Sequence, residues 1–509
     1  MSALTDDPKR RTVPRWRTFR ESVSLGQLDL HAAKLSKPLP DIGEVEKAAK
    51  AWEQHNTMGF AGDLLGKASV IGKAALAHEA ASWVLEQPDS PRSLRRLAYR
   101  LTGQSVASED IGEAVPLARA EERHARIHSL RRRLNQSPLD AATWIDLARA
   151  YVVHGQADKA LQPVRNALSL APLSRFVIRS AVRYFLHTDD AQRARTLLTM
   201  CVRTSSDPWL LAAEVACGSV LRRTPHFAKR ARAFVAERKV SPKHLSELAS
   251  AVATLELESG SHRKARQLFA LAMLDPTENA VAQAAWATRQ DPRIEVPRVA
   301  FSAPRAYEAQ SWSHLHDQLW DEVVGAADQW LRDEPFSSRP AAFGSWAALI
   351  VEGNFEKAVA FSEAGLAVHH LHPMLLNNLA VAFADLGRVD RASNELNKIQ
   401  GYALDPRTLT AVTATRGLLC FRAGQVERGR NLYRDAVELA LRHGDRLAAT
   451  FALLHLAREE LARDEQAAGR ILEETSEQIQ RLSVLERQLA IRFTAVSGLD
   501  RFAVARRVG

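Results

Sequence analysis

The sequence predicts an all-α protein, an α-solenoid in which short helix pairs stack into a superhelix. The first observation is a proline repeat of 33 to 36 residues, interrupted by one interval of 64. The prolines that carry it are Pro138, Pro172, Pro208, Pro242, Pro276, Pro340, Pro373 and Pro406. Such a period is typical of stacked helix pairs, each too small to bury its apolar face without the next. The second observation is the helical spacing of apolar residues within the repeat.

The first repeat, residues 141–172, shows this spacing most clearly. Its apolar and small residues indicate a helix, a turn and a second helix. They are Trp144, Leu147, Ala148 and Tyr151, then Gly155, then Ala160, Val164 and Ala167, and finally Pro172. The first four lie at i, i+3, i+4 and i+7, which is one face of a helix. Glycine at the turn favours the left-handed backbone that ends a helix, and proline cannot continue the second helix.

This pattern resembles the tetratricopeptide repeat, whose first helix carries Trp, Leu, a small residue and Tyr and whose second carries Ala, Phe and Ala. The resemblance is specific at 141–172, and weaker copies extend to about residue 482. Residues 209–242 keep the period but not the turn, so we interpret them as a degenerate repeat. The resemblance implies a superhelix with a concave binding surface.

The repeat and its interruptions divide the chain into six predicted segments. They are a basic N-terminal arm (1–40), a helical N-terminal region or cap (41–137), a first array (138–290), a break (291–306), a second array (307–482) and a C-terminal cap with a basic tail (483–509). Pro292, Pro297 and Pro304 define the break because they forbid a continuous helix. Residues 41–137 lack the period and are either a divergent cap or a separate functional domain.

Composition excludes several classes of protein. Hydrophobic residues make up 46% of the 509 and charged residues 25%, which is average for a folded chain. The net charge of +10 comes from 69 basic and 59 acidic residues and is not concentrated in one block. Three widely spaced cysteines, Cys201, Cys217 and Cys420, support neither a disulfide framework nor a zinc ribbon. No apolar run approaches the roughly 18 residues that cross a bilayer. We therefore expect a cytoplasmic, bacterial protein without membrane contact.

Few residues suggest chemistry, and no catalytic residue, metal site or cofactor is predicted. Residues 61–69 approach a phosphate-binding loop, but Ala61 and Ala68 replace a required glycine and the magnesium-binding hydroxyl. We interpret this stretch as a connection between helices, with Gly62 and Gly66 as breakers. Histidine clusters are interpreted as solvated faces or helix ends. They are His124 with His128, His314 with His316, and His369 with His370 and His372.

The resemblance also implies which residues line the concave groove. Carried over position by position, they include Arg149, Phe176, Arg179, Arg183 and Asn377. Because guanidinium groups pair with carboxylates, the three arginines predict that the groove binds an acidic segment of a protein partner. The amide of Asn377 is expected to hold the backbone of the ligand. The alternative is that these arginines only solubilise the inner surface.

Together these features predict a non-enzymatic scaffold or regulatory subunit that binds a protein partner through its superhelix. Two alternatives stay open. One is an RNA- or DNA-associated subunit that uses the basic runs 9–20, 92–100 and 123–133 against phosphates. The other is an enzymatic activity within residues 1–137.

Overall fold

A computed structural model describes residues 11–19, 42–71, 73–87, 90, 92–103, 120–399 and 401–500. Within these ranges the chain forms 25 α-helices and no β-strand, which confirms the all-α prediction. The chain divides into two compact units, Gln27–Ala118 and Met1–Gly26 with Arg119–Gly509. The predicted arm at 1–10 and 20–40, the tail at 501–509 and the side chains of Arg123 and His124 lie outside the described residues.

The smaller unit contains α1 (Ile42–His55), α2 (Met58–Ile71), α3 (His78–Glu86) and α4 (Arg92–Thr102). Residues 61–69 lie inside α2, where Lys67 pairs with Asp63 one turn earlier at 2.7 Å. The interpretation of this stretch as a connection between helices is therefore wrong. Leu64 and Leu65 are buried in the core of this unit, and their burial offsets the roughly 1 kcal/mol that a glycine costs inside a helix.

The larger unit stacks 21 described helices, most of them packed against the next helix in the chain. The first half comprises α5 (Ala120–Gln136), α6 (Ala141–Val153), α7 (Ala157–Leu170), α8 (Arg175–His187), α9 (Ala191–Met200), α10 (Pro208–Val220), α11 (Ala228–Glu237), α12 (Pro242–Glu258), α13 (His262–Ala272) and α14 (Glu278–Thr288). The second half comprises α15 (Tyr307–His316), α16 (Trp320–Asp333), α17 (Ser338–Ala347), α18 (Phe355–Leu366), α19 (Pro373–Asp385), α20 (Val389–Asn397), α21 (Pro406–Arg422), α22 (Val426–Arg442), α23 (Arg446–Leu461), α24 (Glu465–Gln480) and α25 (Val484–Val496).

The proline repeat marks the beginnings of helices as well as their ends. Pro208, Pro242, Pro373 and Pro406 occupy the first turns of α10, α12, α19 and α21. That position suits proline because the N–H it lacks would have no partner within the helix. The repeat length is therefore the distance in sequence between the first helix of one pair and the first helix of the next.

The first repeat packs largely as its pattern predicts. Leu147, Ala148 and Tyr151 of α6 are buried in a core shared with α7, α8 and α5. Trp144 stays partly exposed, and its indole N–H donates to the carbonyl of Pro138 at 2.8 Å. The helix α5 also packs on α6, and the larger compact unit includes the chain from Arg119 onward, before the predicted start of the first array at residue 138.

Between Thr288 and Tyr307 the chain forms a single 3₁₀ helix, Arg298–Ser302, and no α-helix. Ile294 and Ala300 of this stretch are nonetheless buried in the same apolar core as Trp286 of α14 and Ala309 of α15. The predicted break is thus an irregular stretch that packs against the helices on both sides of it. The two arrays on either side of it belong to one compact unit.

Candidate binding groove

Residues 11–19, which we call the arm segment, lie among the helices of the larger unit. Residues 11–18 form neither helix nor strand. We call the side chains that contact the arm segment the groove; they come from α6, α8, α12, α14, α15, the end of α16 and the residues that follow it. They are Asp146, Arg149, Phe176, Tyr184, Glu258, Glu278, Asn279, Glu308, Asp333, Glu334 and Phe336.

Trp16 is the central residue of the arm segment and is fully buried. Its ring packs edge-on against Tyr184, with centroids 6.2 Å apart, and tilted against Phe336, with centroids 5.7 Å apart. Its backbone carbonyl accepts a hydrogen bond of 2.9 Å from Nε of Arg149. Tyr184 belongs to α8 and Phe336 follows α16, so this slot joins the first half of the stack to the second.

The two arginines beside Trp16 form ion pairs with buried carboxylates. Arg15 forms ion pairs with Glu308 and Glu334. Arg17 makes two bonds to Asp333, at 3.0 and 2.8 Å, and one to Glu278 at 2.8 Å. Both arginine side chains are only 8% exposed. Charge-assisted pairs of this kind are strong when both partners are shielded from water and their hydrogen bonds are made.

The same ion pairs shift the pKa values on both sides of the contact. Burial opposes the charge of Arg15, but Glu334 and Glu308 outweigh it and raise the pKa of Arg15 above its usual range. Arg17 behaves alike: burial lowers its pKa, and Glu278 and Asp333 raise it by more. Burial also disfavours the charge of Glu278, yet Arg17 and Arg15 lower the pKa of that carboxyl. The groove therefore holds both partners in their charged forms at neutral pH.

The groove also fixes the backbone and the ends of the arm segment. Asn279 Nδ2 donates to the carbonyl of Val13 at 2.9 Å, and Asp146 Oδ1 accepts from the N–H of Phe19 at 2.9 Å. Phe19 packs edge-on against Phe176, with centroids 5.2 Å apart. At the other end, Arg11 pairs with Glu258 at 2.8 Å. The segment is thus held along its whole described length.

The structure places the five predicted groove residues in different surroundings. Arg149 and Phe176 contact the arm segment directly. Arg183 stacks on Phe336 at 4.8 Å from the ring centroid, and burial lowers its pKa to about 10. Arg179 instead donates to both carboxylate oxygens of Glu247 at 3.0 Å and stacks on a tryptophan of α10. Asn377, in the second half, accepts a hydrogen bond from the hydroxyl of Thr415 at 2.8 Å.

These positions do not favour the acidic ligand that the three arginines predict. Arg179 forms an ion pair with Glu247, and Nε of Arg149 donates a hydrogen bond to the backbone carbonyl of Trp16. The groove side chains that pair with Arg11, Arg15 and Arg17 are carboxylates. Sequence reasoning missed them because they lie at helix ends and connections, outside the helix-face positions carried over from the family. The only signal was the basic, tryptophan-containing stretch 11–19 itself.

The other candidate sites offer less evidence of function than the groove does. Among the residues that the structure describes, no group of three His, Cys, Asp or Glu side chains is arranged to hold a metal ion. Cys201, Cys217 and Cys420 are free, and burial raises the pKa of Cys217 above its usual range. None of the helices in the described ranges combines the length and the apolar character needed to cross a lipid bilayer.

Comparison with known proteins gives similarity at the level of solved structures only. No protein-family model matches this chain, and no curated protein does. The Cut9–Hcn1 hetero-tetramer of the APC/C is 14% identical, with 88% of this chain and 92% of that chain covered and a TM-score of 0.36. Yeast Tom70 is 15% identical, with 90% and 96% covered and a TM-score of 0.28. IFIT1 bound to Gppp-AAAA is 10% identical, with 90% and 95% covered and a TM-score of 0.31. The helical-repeat architecture is established by the helix pairs of this chain.

Proposed function

We propose that this protein is a non-enzymatic interaction scaffold or regulatory subunit that binds a linear segment of a protein partner in its groove. The observation that supports this function is the arm segment, an irregular stretch held by an aromatic slot, two arginine sites and side-chain bonds to its backbone. A surface that holds one linear segment in this way suits another of the same chemistry. The three free cysteines agree with the reducing cytoplasm that we propose as its compartment.

The contacts of the first basic run do not favour its use against nucleic acid. Phosphate binding requires arginines that are free to displace counterions. Arg11, Arg15 and Arg17, which belong to the first basic run, are paired with carboxylates of the same chain. An enzymatic site in residues 1–137 also gains no support from 61–69, since that stretch is helical and exposes no loop of N–H groups to a phosphate.

Affinity capture from the source organism tests the proposal. The bait is the full chain, wild type and with Arg15→Glu/Arg17→Glu (the arm variant), because the arm segment occupies the groove of the wild type. Each bait is compared with a copy that carries Glu278→Gln/Glu334→Gln (the groove variant). The matched control is Glu438→Gln/Glu477→Gln, which removes two carboxylates that are 70% and 79% exposed.

We expect a partner protein that the arm variant captures and the control retains, but that is lost when the groove substitutions are added. Cross-linking followed by mass spectrometry should connect that partner to residues near Phe176 or Asn279. If every captured protein is retained by the groove variant, the groove is not the binding surface and the proposed function is wrong.

A further inference from the structure

We propose that the groove recognises a linear segment with the pattern arginine–aromatic–arginine, and that the arm segment is a tethered ligand which a partner carrying this pattern must displace. This inference rests on the proposed function, since it names the chemistry of the partner and the way in which access to the groove is controlled.

The aromatic slot selects the central residue of such a ligand. Trp16 is enclosed by Tyr184 and Phe336, and its carbonyl is held by Arg149. Phe336 is itself fully buried and carries the guanidinium of Arg183 on its face. A large planar side chain fills this slot, whereas a small one would leave a cavity beneath Phe336.

The carboxylates select the two residues that flank the aromatic one. Within the described ranges, the cation paired with Glu278 is Arg17 and the cation paired with Glu334 is Arg15. Both carboxylate side chains are largely buried, at 14% and 9% exposure. A ligand with neutral residues at these two places would leave buried charges without a cation, and a ligand with acidic residues would add repulsion. The bidentate bond to Asp333 further favours arginine over lysine.

The way in which the arm is held makes it replaceable. Residues 11–18 form neither helix nor strand, and groove side chains supply the bonds to the backbone of Val13, Trp16 and Phe19. The indole N–H of Trp16 and Nε of Arg183 are both buried without a hydrogen-bond partner in the described part of the chain. Each unsatisfied donor weakens the fit of the arm, so a partner that supplies an acceptor there would bind better.

Tethering explains how an imperfect ligand keeps the groove filled. The arm segment is connected to α6 through residues 20–140, which include the separate compact unit 27–118. A ligand on the same chain acts at an effective concentration up to the millimolar range, so even modest intrinsic affinity gives high occupancy. A partner must compete against that occupancy, and its apparent affinity falls in proportion to the fraction of open grooves.

Fluorescence anisotropy with a labelled peptide of sequence RTVPRWRTF, which copies residues 11–19, tests this inference. We expect the full-length arm variant, Arg15→Glu/Arg17→Glu, to bind the peptide at least about tenfold more tightly than the wild type, because its groove is open. Adding the groove substitutions Glu278→Gln/Glu334→Gln should weaken binding by about tenfold or more, and the control substitutions Glu438→Gln/Glu477→Gln should not. The same peptide with the residues that copy Arg15 and Arg17 changed to glutamate should not bind.

A second measurement covers the case in which the arm variant does not fold. A protease site inserted between Gly26 and Gln27 of the otherwise unchanged chain lets residues 1–26 leave after cleavage, and mass spectrometry follows their exchange for the labelled peptide. Exchange within hours supports the inference. It is overturned if the folded, cleaved chain never exchanges, or if a folded arm variant does not bind the peptide.

Two other outcomes separate this inference from the proposed function. A partner that is captured through the groove but not released by excess peptide would leave the proposed function intact and overturn the arginine–aromatic–arginine assignment. A wild-type dimer in light scattering that disappears in the arm variant would show that arms exchange between two copies, and it would overturn the intramolecular tether.

Discussion

At the scale of single residues, Trp16 and Phe336 pack against each other but have different structural roles. Both are fully buried, and their rings lie 5.7 Å apart. Phe336 lies in the body of the helix stack and supports Arg183 and Arg149 by cation–π contacts. Trp16 belongs to a segment that we propose to be exchangeable. Truncating them should therefore affect different properties.

We expect Phe336→Ala to lower the free energy of unfolding of the larger unit by about 3 to 5 kcal/mol, as for other buried aromatic residues. Trp16→Ala should instead release the arm segment and lower the free energy of unfolding by less than half as much. Urea unfolding measures the free energy in both variants, and hydrogen exchange of the amides of 11–19 measures release of the arm. Equal losses of stability in the two variants would show that the arm is a permanent part of the core.

His187 is expected to make stability depend on pH. Burial, and then the charge of Arg183 and the neighbouring His369, lower the pKa of His187 to about 3, against about 6.5 in an unfolded chain. Between these values the unfolded state binds more protons, so the free energy of unfolding falls as the pH drops below about 6.5. Between pH 7.5 and 5.5 the free energy of unfolding of the wild type should fall by about 1.4 kcal/mol more than that of His187→Phe. Urea titrations at the two pH values measure this difference, and parallel losses would contradict it.

Residue-level reasoning from the sequence located some of the groove and missed the rest for a physical reason. Arg149 and Phe176 were predicted because the resemblance implies which helix positions line the groove, and both contact the arm segment. Glu278 and Glu334 were not, because their partners Arg17 and Arg15 are 261 and 319 residues away in the chain. Nothing in a local pattern shows that these charges meet, so it could not show that the groove is already occupied.

At the scale of elements, the first turn of α10 illustrates how a repeat is fixed in place. Asp207 accepts hydrogen bonds from the N–H groups of Trp209 and Leu210. The same carboxylate pairs with Arg175 of α8 at 2.7 Å and with Arg203 at 3.2 Å. One buried side chain therefore caps a helix and joins it to the pair before it. The cap of α21, Asp405, makes the same bonds to N–H groups but is exposed.

We expect Asp207→Ala to destabilise the larger unit by about 3 kcal/mol, since it removes a cap and leaves buried Arg175 without its counter-ion. Asp405→Ala should cost only about 1 kcal/mol, the value of a cap alone. The midpoints of thermal or urea unfolding measure both changes. Similar losses at the two sites would mean that the bonds to Arg175 and Arg203 contribute nothing.

Element boundaries could be predicted where backbone chemistry decides them and not where packing does. The proline repeat predicted the spacing of the helix pairs, and four of its prolines begin α10, α12, α19 and α21 because proline suits the first turn of a helix. Gly62 and Gly66 were read as breakers, yet apolar neighbours keep them inside α2. The low helix propensity of glycine is a weak effect, and the free energy gained by burying a few leucines exceeds it.

At the scale of the whole larger unit, the first repeat touches a helix pair more than 200 residues later in the chain. A Cβ placed on Gly155, at the turn after α6, would lie 2.5 Å from the carbonyl of Ala367 and 2.9 Å from His370. His187 and His369 lie side by side at the same seam, with centroids 5.3 Å apart. The stack therefore closes on itself, and this closure brings Phe336 and the carboxylates after α16 to the arm segment.

Gly155→Ala tests the link between this closure and the occupied groove. The backbone at Gly155 has φ +70°, so alanine is strained there, and its methyl group would also press against Ala367. Gly260→Ala is the matched control, because Gly260 has φ +80° at an equivalent turn but open space around it. We expect Gly260→Ala to cost about 1 kcal/mol and to leave hydrogen exchange of the amides of 11–19 unchanged. Gly155→Ala should cost more and should speed exchange of those amides, because an opened seam withdraws Phe336 and Glu334 from the arm. If both variants exchange these amides as the wild type does, closure of the stack does not hold the arm in place.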